Sequence, residues 1–254
     1  MDGYAQCLED LSLASRILAQ HGIVDGFGHI SCRDPRSPKD QYLLARNLAP
    51  ALVGPEDIVA WRISDAEPVD PKSPRGFLER CIHSEIYRQF EDVEAVVHFH
   101  SPDIIPYGLM PIPLKAVFHM ASFLGAVAAP IFDIGDAFGP ETDMLIRNTT
   151  HGAALAEAFT PPVPSAPTRP LVLMRGHGAT LTAPSLKLAV FRAIYTQTNA
   201  RILTSLSTLA GGAQNAAQMT RFLTSEECEA SMAANAGQVA RSWDVWCREL
   251  EKRR

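Results

Sequence analysis

Residues 94–101 read Glu-Ala-Val-Val-His-Phe-His-Ser, and the fold of the chain follows from them. A near-continuous apolar run ending in a His-x-His pair predicts a strand covered on both faces, since a strand with one wet face alternates instead. Side chains two apart on a strand point the same way, so His98 and His100 converge while Phe99 enters the opposite layer. Such a strand needs partners on both edges and helices above and below, and the flanking sequence supplies them.

Upstream, the spacing of Phe77, Ile82, Ile86 and Phe90 predicts a helix from Gly76 to about Phe90 that leads straight into the strand. Before it come three β-like segments, HISCR (29–33), QYLLA (41–45) and DIVAWRI (57–63), separated by turns rich in Pro, Asp and Gly. Leu8, Leu11, Ala14, Ile17 and Leu18 predict an amphipathic helix over 3–20, with His21-Gly22 as its stop. Downstream, a helix is expected at 102–110, strands around 115–119 and 129–134, and a helix at 141–159. The five prolines of PPVPSAPTRP (161–170) require an extended connector. LVLMRGHGATL (171–181) reads as two strands about a Gly-flanked turn; a long helix (185–210), a Gly-Gly break and a last helical region follow. No internal repeat is present. The expectation is one α/β domain over 1–254, its C-terminal helices from about 185 packed on the domain or on a neighbouring subunit.

Of the 254 residues 46% are hydrophobic and 20% charged, which allows a sizeable core in a chain of this length. No apolar run approaches the ~20 residues that cross a bilayer, and MDGYAQCLEDLSLASRIL lacks the basic-then-apolar pattern of a secretory signal. A net charge of −5 excludes the basic footprint of a nucleic-acid binder. Cys7, Cys32, Cys81, Cys228 and Cys247 are odd in number and scattered, with no C-x-x-C pair. That usage predicts reduced thiols in a cytoplasm.

Two imidazoles on one strand face supply half of a metal's ligands; the alternative is a polar pair at a strand's exposed end. His177, flanked by Gly176 and Gly178 directly after the apolar LVLM, has a backbone free to approach closely and a ring left accessible. Glu79, on the predicted helix ahead of the His-x-His strand, either completes a metal site or moves protons; alone it would read as a solvated helix glutamate. His119 ends a short strand and Tyr195 lies in a long helix, and each is either catalytic or a satisfied core or interface residue. His21, His83 and His151 read as structural.

The succession GFGHIS, FLERCIHSEIY, DVEAVVHFHS and LVLMRGHG resembles the class II aldolase/adducin family over roughly residues 5–210. That resemblance implies a three-layer α/β/α fold with a central mixed or antiparallel sheet, and a homotetramer with sites at subunit interfaces. It also implies one divalent metal per subunit (Zn, Mn, Fe or Co) held by His98, His100 and His177, with Glu79 as fourth ligand or acid/base.

The sequence departs from the sugar-phosphate members of that family. Those resemble T-S-G-N-I-S, T-P-S-G and S-S-E where this chain has Gly26-Phe27-Gly28-His29-Ile30-Ser31, Leu44-Ala45-Arg46-Asn47 and Gly76-Phe77-Leu78-Glu79. A phosphate cradle needs small residues with free N–H groups or hydroxyls; here the positions are bulky, apolar or cationic. His29, Arg46 and Phe77 thus become candidate substrate contacts, with Arg46 suited to bidentate carboxylate binding. PLKAVFHM, IFDIGDAFGPETDML and VFRAIYTQTNAR are similar to the decarboxylase branch, which acts on hydroxylated aromatic or pyridine carboxylates. The expected function is metal-dependent, non-oxidative decarboxylation of such an acid in aromatic-compound catabolism, with Glu79 or His119 as proton donor. The rivals are an aldolase or epimerase acting on a non-phosphorylated hydroxycarbonyl compound and an adducin-like binding module; the complete histidine set argues against the last.

Overall fold

In a computed structural model, which describes residues 3–161 and 168–252, the central strand forms as β4 (Ala95–Phe99) in the middle of a seven-stranded sheet. Its antiparallel neighbours are β1 (His29–Arg33) and β7 (Gly178–Ala183). Beyond β1 lie β2 (Gln41–Ala45) and β3 (Ile58–Arg62); beyond β7 lie β6 (Leu171–Met174) and β5 (Ile131–Phe132). All the pairings are antiparallel except β5 with β6, so the sheet is mixed.

Both faces of β4 are covered, as its composition requires. Ala95, Val97 and Phe99 join Ile30, Cys32, Leu181 and Ala183 in one core, beneath α1 (Gly3–Gln20) and α5 (Leu186–Leu209). Val96 faces the other way, into a core with Leu44, Val172 and Met174 beneath α2 (Cys81–Gln89) and α4 (Thr149–Glu157). The result is three layers, α/β/α. Full burial of each such Leu, Ile, Val or Phe is worth roughly 1.5–3 kcal/mol, so the two cores fix the strand register from which the site is built.

In α1, Leu11, Ala14, Ile17 and Leu18 are buried at helical spacing and Gly22 follows the helix as its stop. A short α3 (Ile134–Phe138) follows β5. Of the last helices, α6 (Ala213–Met219) packs on α5, while α7 (Ser225–Asn235) and α8 (Val239–Glu251) pack back on the α1/α5 core. Trp243 and Trp246 of α8 are buried there, with Trp246 edge-on to His21 at 5.6 Å between ring centroids. Val190, Phe191 and Ile194 are buried in the same core. These residues are satisfied within one chain, so they do not by themselves call for a neighbour.

Four elements differ from expectation. Gly76 forms an isolated bridge with Arg46, residues 77–80 close a turn, and α2 begins only at Cys81, which takes Glu79 off the helix. The helix expected at 102–110 is a single 3-10 turn, Ile105–Gly108. No strand forms at 115–119: the amide of Asn199 on α5 accepts from Val117 N–H (3.0 Å) and donates to the Lys115 carbonyl (2.8 Å), standing in for a ladder partner. The helix expected from 141 starts at Thr149, capped by the Asn148 side chain. Six residues of the proline-rich connector, 162–167, lie outside the described residues.

Candidate metal centre

Three parts of the fold end at one point. β4 delivers His98 and, just past its end, His100; the β6–β7 turn delivers His177; the turn ahead of α2 delivers Glu79. One ligand atom from each lies within 4.8 Å of the others. The β6–β7 turn is closed by His177 N–H donating to the Met174 carbonyl at 3.1 Å. Gly176 takes its third position at φ 66°, a conformation open to glycine without steric cost. At Gly178 the requirement is space, since a Cβ would stand 2.2 Å from the Phe99 carbonyl oxygen.

The ring nitrogens face inward. His98 Nε2 and His100 Nε2 are 3.0 Å apart, and Glu79 Oε2 is 3.5 Å from both His98 Nε2 and His177 Nε2. Nitrogens bound at ~2.0–2.1 Å in a tetrahedral set stand about 3.4 Å apart, so the donors have the spacing of a ligand set. Their outer nitrogens fix the tautomers. Thr180 Oγ1 donates to the Met174 sulfur at 3.3 Å and so accepts the Nδ1–H of His98 at 3.2 Å. Asp25 Oδ1 accepts the Nδ1–H of His100 at 3.3 Å, and also takes the N–H groups of Phe27 and Gly28. Each arrangement leaves a bare Nε2 toward the centre, as metal-ligating histidines require. Glu79 is oriented too, its Oε1 accepting Ile146 N–H at 2.8 Å. Among the described residues, His177 Nδ1 is buried without a partner.

Burial alone would raise the Glu79 carboxyl, but the His177 and His98 rings beside it hold it well below the usual carboxylate range. His98 is pushed down to about 4 by burial, against the opposing pull of Glu79. At neutral pH the Glu79 carboxylate is therefore ionised and the His98 ring neutral. Three nitrogens and one carboxylate suit Zn, Mn, Fe or Co, and these residues fit such an ion.

Beside the ligands lies a wall of rings. His29 pairs with His98 across β1 and β4, their ring centroids 5.2 Å apart, and Phe77 lies 4.6 Å from His29 at 46°. His29 also meets His83, whose Nε2 is 2.7 Å from His29 Nδ1. His83 Nδ1 reaches Ser31 Oγ at 2.6 Å, and Ser31 Oγ reaches Tyr87 OH at 2.7 Å. Sequence reasoning passed over His83 as a structural residue; its signal was a polar side chain beside Ile82, on a helix segment whose other members enter the core. Asp25 and Thr180 were missed as well. Thr180 pairs directly with His98 in the β4–β7 register, which no sequence spacing reveals.

Three expected site residues are not brought to this point within the chain. Arg46 donates from Nε to Asp57 at 2.7 Å with its side chain 39% exposed, so its charge is already answered. His119 meets Phe118 edge-on at 4.8 Å, and Tyr195 packs on Phe118 and Phe191 in the α1/α5 core. That core lies across the sheet from His98, because side chains at alternate positions of β4 face opposite layers.

A model of the class II aldolase and adducin N-terminal domain matches residues 9–204. The chain is 40% identical over 242 residues to the decarboxylase tropJ of Talaromyces stipitatus, covering 92% of this chain and 90% of that protein. It is 31% identical over 223 residues to a 3,4-dihydroxyphthalate decarboxylase of Arthrobacter keyseri, covering 83% and 82%. The fold is similar to the crystal structure of an aldolase II superfamily protein from Pseudomonas syringae, with a TM-score of 0.76, 19% identity and coverage of 99% and 94%.

Proposed function

The chain belongs to the class II aldolase and adducin family, and on that premise we propose that it is a divalent-metal-dependent decarboxylase of a hydroxylated aromatic or heteroaromatic carboxylate. The observation that carries this reading is the pair of rings, His29 and Phe77, set beside the four donors. A planar ring can lie against that wall, whereas a sugar phosphate needs hydroxyls and small residues at the same place. The decarboxylases among its relatives point the same way.

In this reading His98, His100, His177 and Glu79 hold the cation, which when bound supplies Lewis-acid polarisation of the ring hydroxyl and its neighbouring carboxylate. Thr180 and Asp25 hold His98 and His100 in the tautomers the site needs. Glu79, held ionised, serves as ligand and as base, not as a resident acid. It takes the hydroxyl proton and returns it to the ring carbon as the C–C bond breaks and carbon dioxide leaves. We place the enzyme in the cytoplasm as one domain per chain. We favour a homotetramer, which would give His119 and Tyr195 a neighbour's site to reach.

A panel of ortho-hydroxybenzoates, dihydroxyphthalates and hydroxypyridine carboxylates, run beside sugar phosphates, tests the reaction. Carbon dioxide from an aromatic acid is the expected result. Aldehyde from a sugar phosphate, with no carbon dioxide from any acid, would promote the aldolase instead.

A further inference from the structure

A chain of four buried polar groups runs from the interior to the wall of the site: Tyr87 OH, Ser31 Oγ, both ring nitrogens of His83, and His29 Nδ1. Tyr87, Ser31, His83 and His29 are all almost wholly buried, so every proton in the chain needs an acceptor within it. The distances, 2.7, 2.6 and 2.7 Å, place one proton in each gap. The whole row must then point one way or the other.

The inner end decides which. Among the described residues, Tyr87 OH has Ser31 Oγ as its one hydrogen-bond partner. If the row ran from His29 toward Tyr87, each group would donate inward and the phenolic proton would be left buried with no acceptor, a costly arrangement. If the row runs outward, Tyr87 donates to Ser31, Ser31 donates to His83 Nδ1, and His83 donates from Nε2 to His29 Nδ1. Nothing is orphaned. A doubly protonated His83 fails the same test, because it too would turn the Ser31 proton toward Tyr87. With Nδ1 occupied as an acceptor, the proton of a neutral His29 sits on Nε2, which makes no hydrogen bond to any described residue.

We propose that His83 is a positioning residue that, through this row, fixes His29 as an Nε2–H donor toward the substrate, so that the site selects a substrate oxygen bearing negative charge at that place. The proposal rests on the reading that His29 lines the substrate pocket. It identifies the recognised group by chemistry: a carboxylate or phenolate oxygen is accepted, and an N–H or O–H that needs an acceptor is turned away.

Histidine-selective 15N NMR of the purified, zinc-loaded protein reads the proton position directly. His29 is expected to carry its proton on Nε2, and so is His83; a His29 proton on Nδ1 overturns the proposal. His83→Gln has similar reach and keeps both an acceptor for Ser31 and a donor for His29, so it should leave the His29 signal unchanged. His83→Glu offers acceptors alone and should move the His29 proton to Nδ1. With equal zinc content, salicylate should bind at least about tenfold more weakly to His83→Glu than to His83→Gln, the effect of losing a charge-assisted hydrogen bond. Equal salicylate affinity in the two variants, with opposed proton positions, also overturns it. The wild-type spectrum decides the proton's place even if a variant fails to fold. Failure of the decarboxylase reading would appear separately, as no carbon dioxide from any aromatic acid.

Discussion

Replacing Gly178 by alanine adds one methyl group and removes no ligand, yet it should cost the site its metal. The new Cβ would stand 2.2 Å from the Phe99 carbonyl oxygen and 3.1 Å from His100 Cα. Carbon contacts rest at roughly 3.5 Å, so β7 must move away from the end of β4 by about 1 Å. That shift opens the ladder where Phe99 pairs with Ala179. One or two backbone hydrogen bonds at ~1 kcal/mol each, added to an overpacking strain of ~1–3 kcal/mol, give a loss of about 2–5 kcal/mol in stability. The same shift carries His177 away from His98 and His100, and disturbing the support of metal ligands costs roughly 10–100-fold in metal affinity. Zinc affinity measured by chelator competition, beside thermal unfolding with and without metal, reads both quantities. Wild-type zinc affinity in a variant that also melts at the wild-type temperature would refute the reasoning, because the close approach at Gly178 would then not govern ligand spacing.

Removing a ligand should act on metal content directly: His98→Ala or His177→Ala should lose most bound metal by elemental analysis while circular dichroism stays native. Glu79→Gln, nearly isosteric, should lower turnover by roughly 10²-fold or more, and unchanged turnover at normal metal loading would demote Glu79 to a bystander. Acid should destabilise the metal-free protein, because burial holds His83 at about 3 and His98 at about 4, below the ordinary 6.5. The unfolded chain takes up those protons first, so this stability is complete above pH 6.5 and is lost as the pH falls toward 4 and then 3. The loss should reach several kcal/mol, since each tenfold difference in proton affinity between the folded and unfolded chain is worth ~1.4 kcal/mol. Denaturation curves that do not move between pH 7 and pH 4.5 would contradict it. Arg46→Ala should change stability by at most about 1 kcal/mol, the worth of a half-exposed pair with Asp57, and a large rise in KM for an aromatic diacid would restore Arg46 as its anchor.

The sequence made the sheet centre and the histidines legible because both depend on short periods. Two-residue alternation puts His98 and His100 together, and a histidine between glycines marks the β6–β7 turn at His177. Legibility failed where a distant side chain took over a local rule. Residues 115–119 have the composition of a strand, yet Asn199 supplies their hydrogen bonds from a helix more than 80 residues on. Glu79 reads as a helix residue and is instead held in a turn, its carboxylate fixed by the backbone of Ile146. Arg46 reads as a free cation, and Asp57, across the β2–β3 connection, answers its charge. His83 looked structural because burial and service to the site are the same position on α2. Thr180 and Asp25 act across strand register and loop closure, which exist only once the chain has folded.

The place of β4 in the sheet also bears on how the protein is made. One edge of β4 is covered by β1, which precedes it, but the other waits for β7, about 80 residues further along the chain. At the ~5–20 residues per second of protein synthesis, the edge of Ala-Val-Val-His-Phe stays open for roughly 4–16 s on the nascent chain. An apolar strand with a free edge invites pairing with another copy emerging nearby. The acidic residues Glu91, Asp92 and Glu94 stand immediately ahead of it, where like charges on adjacent chains repel. Their neutralisation would be felt as lost soluble yield at high expression, in molecules that never reach the folded state.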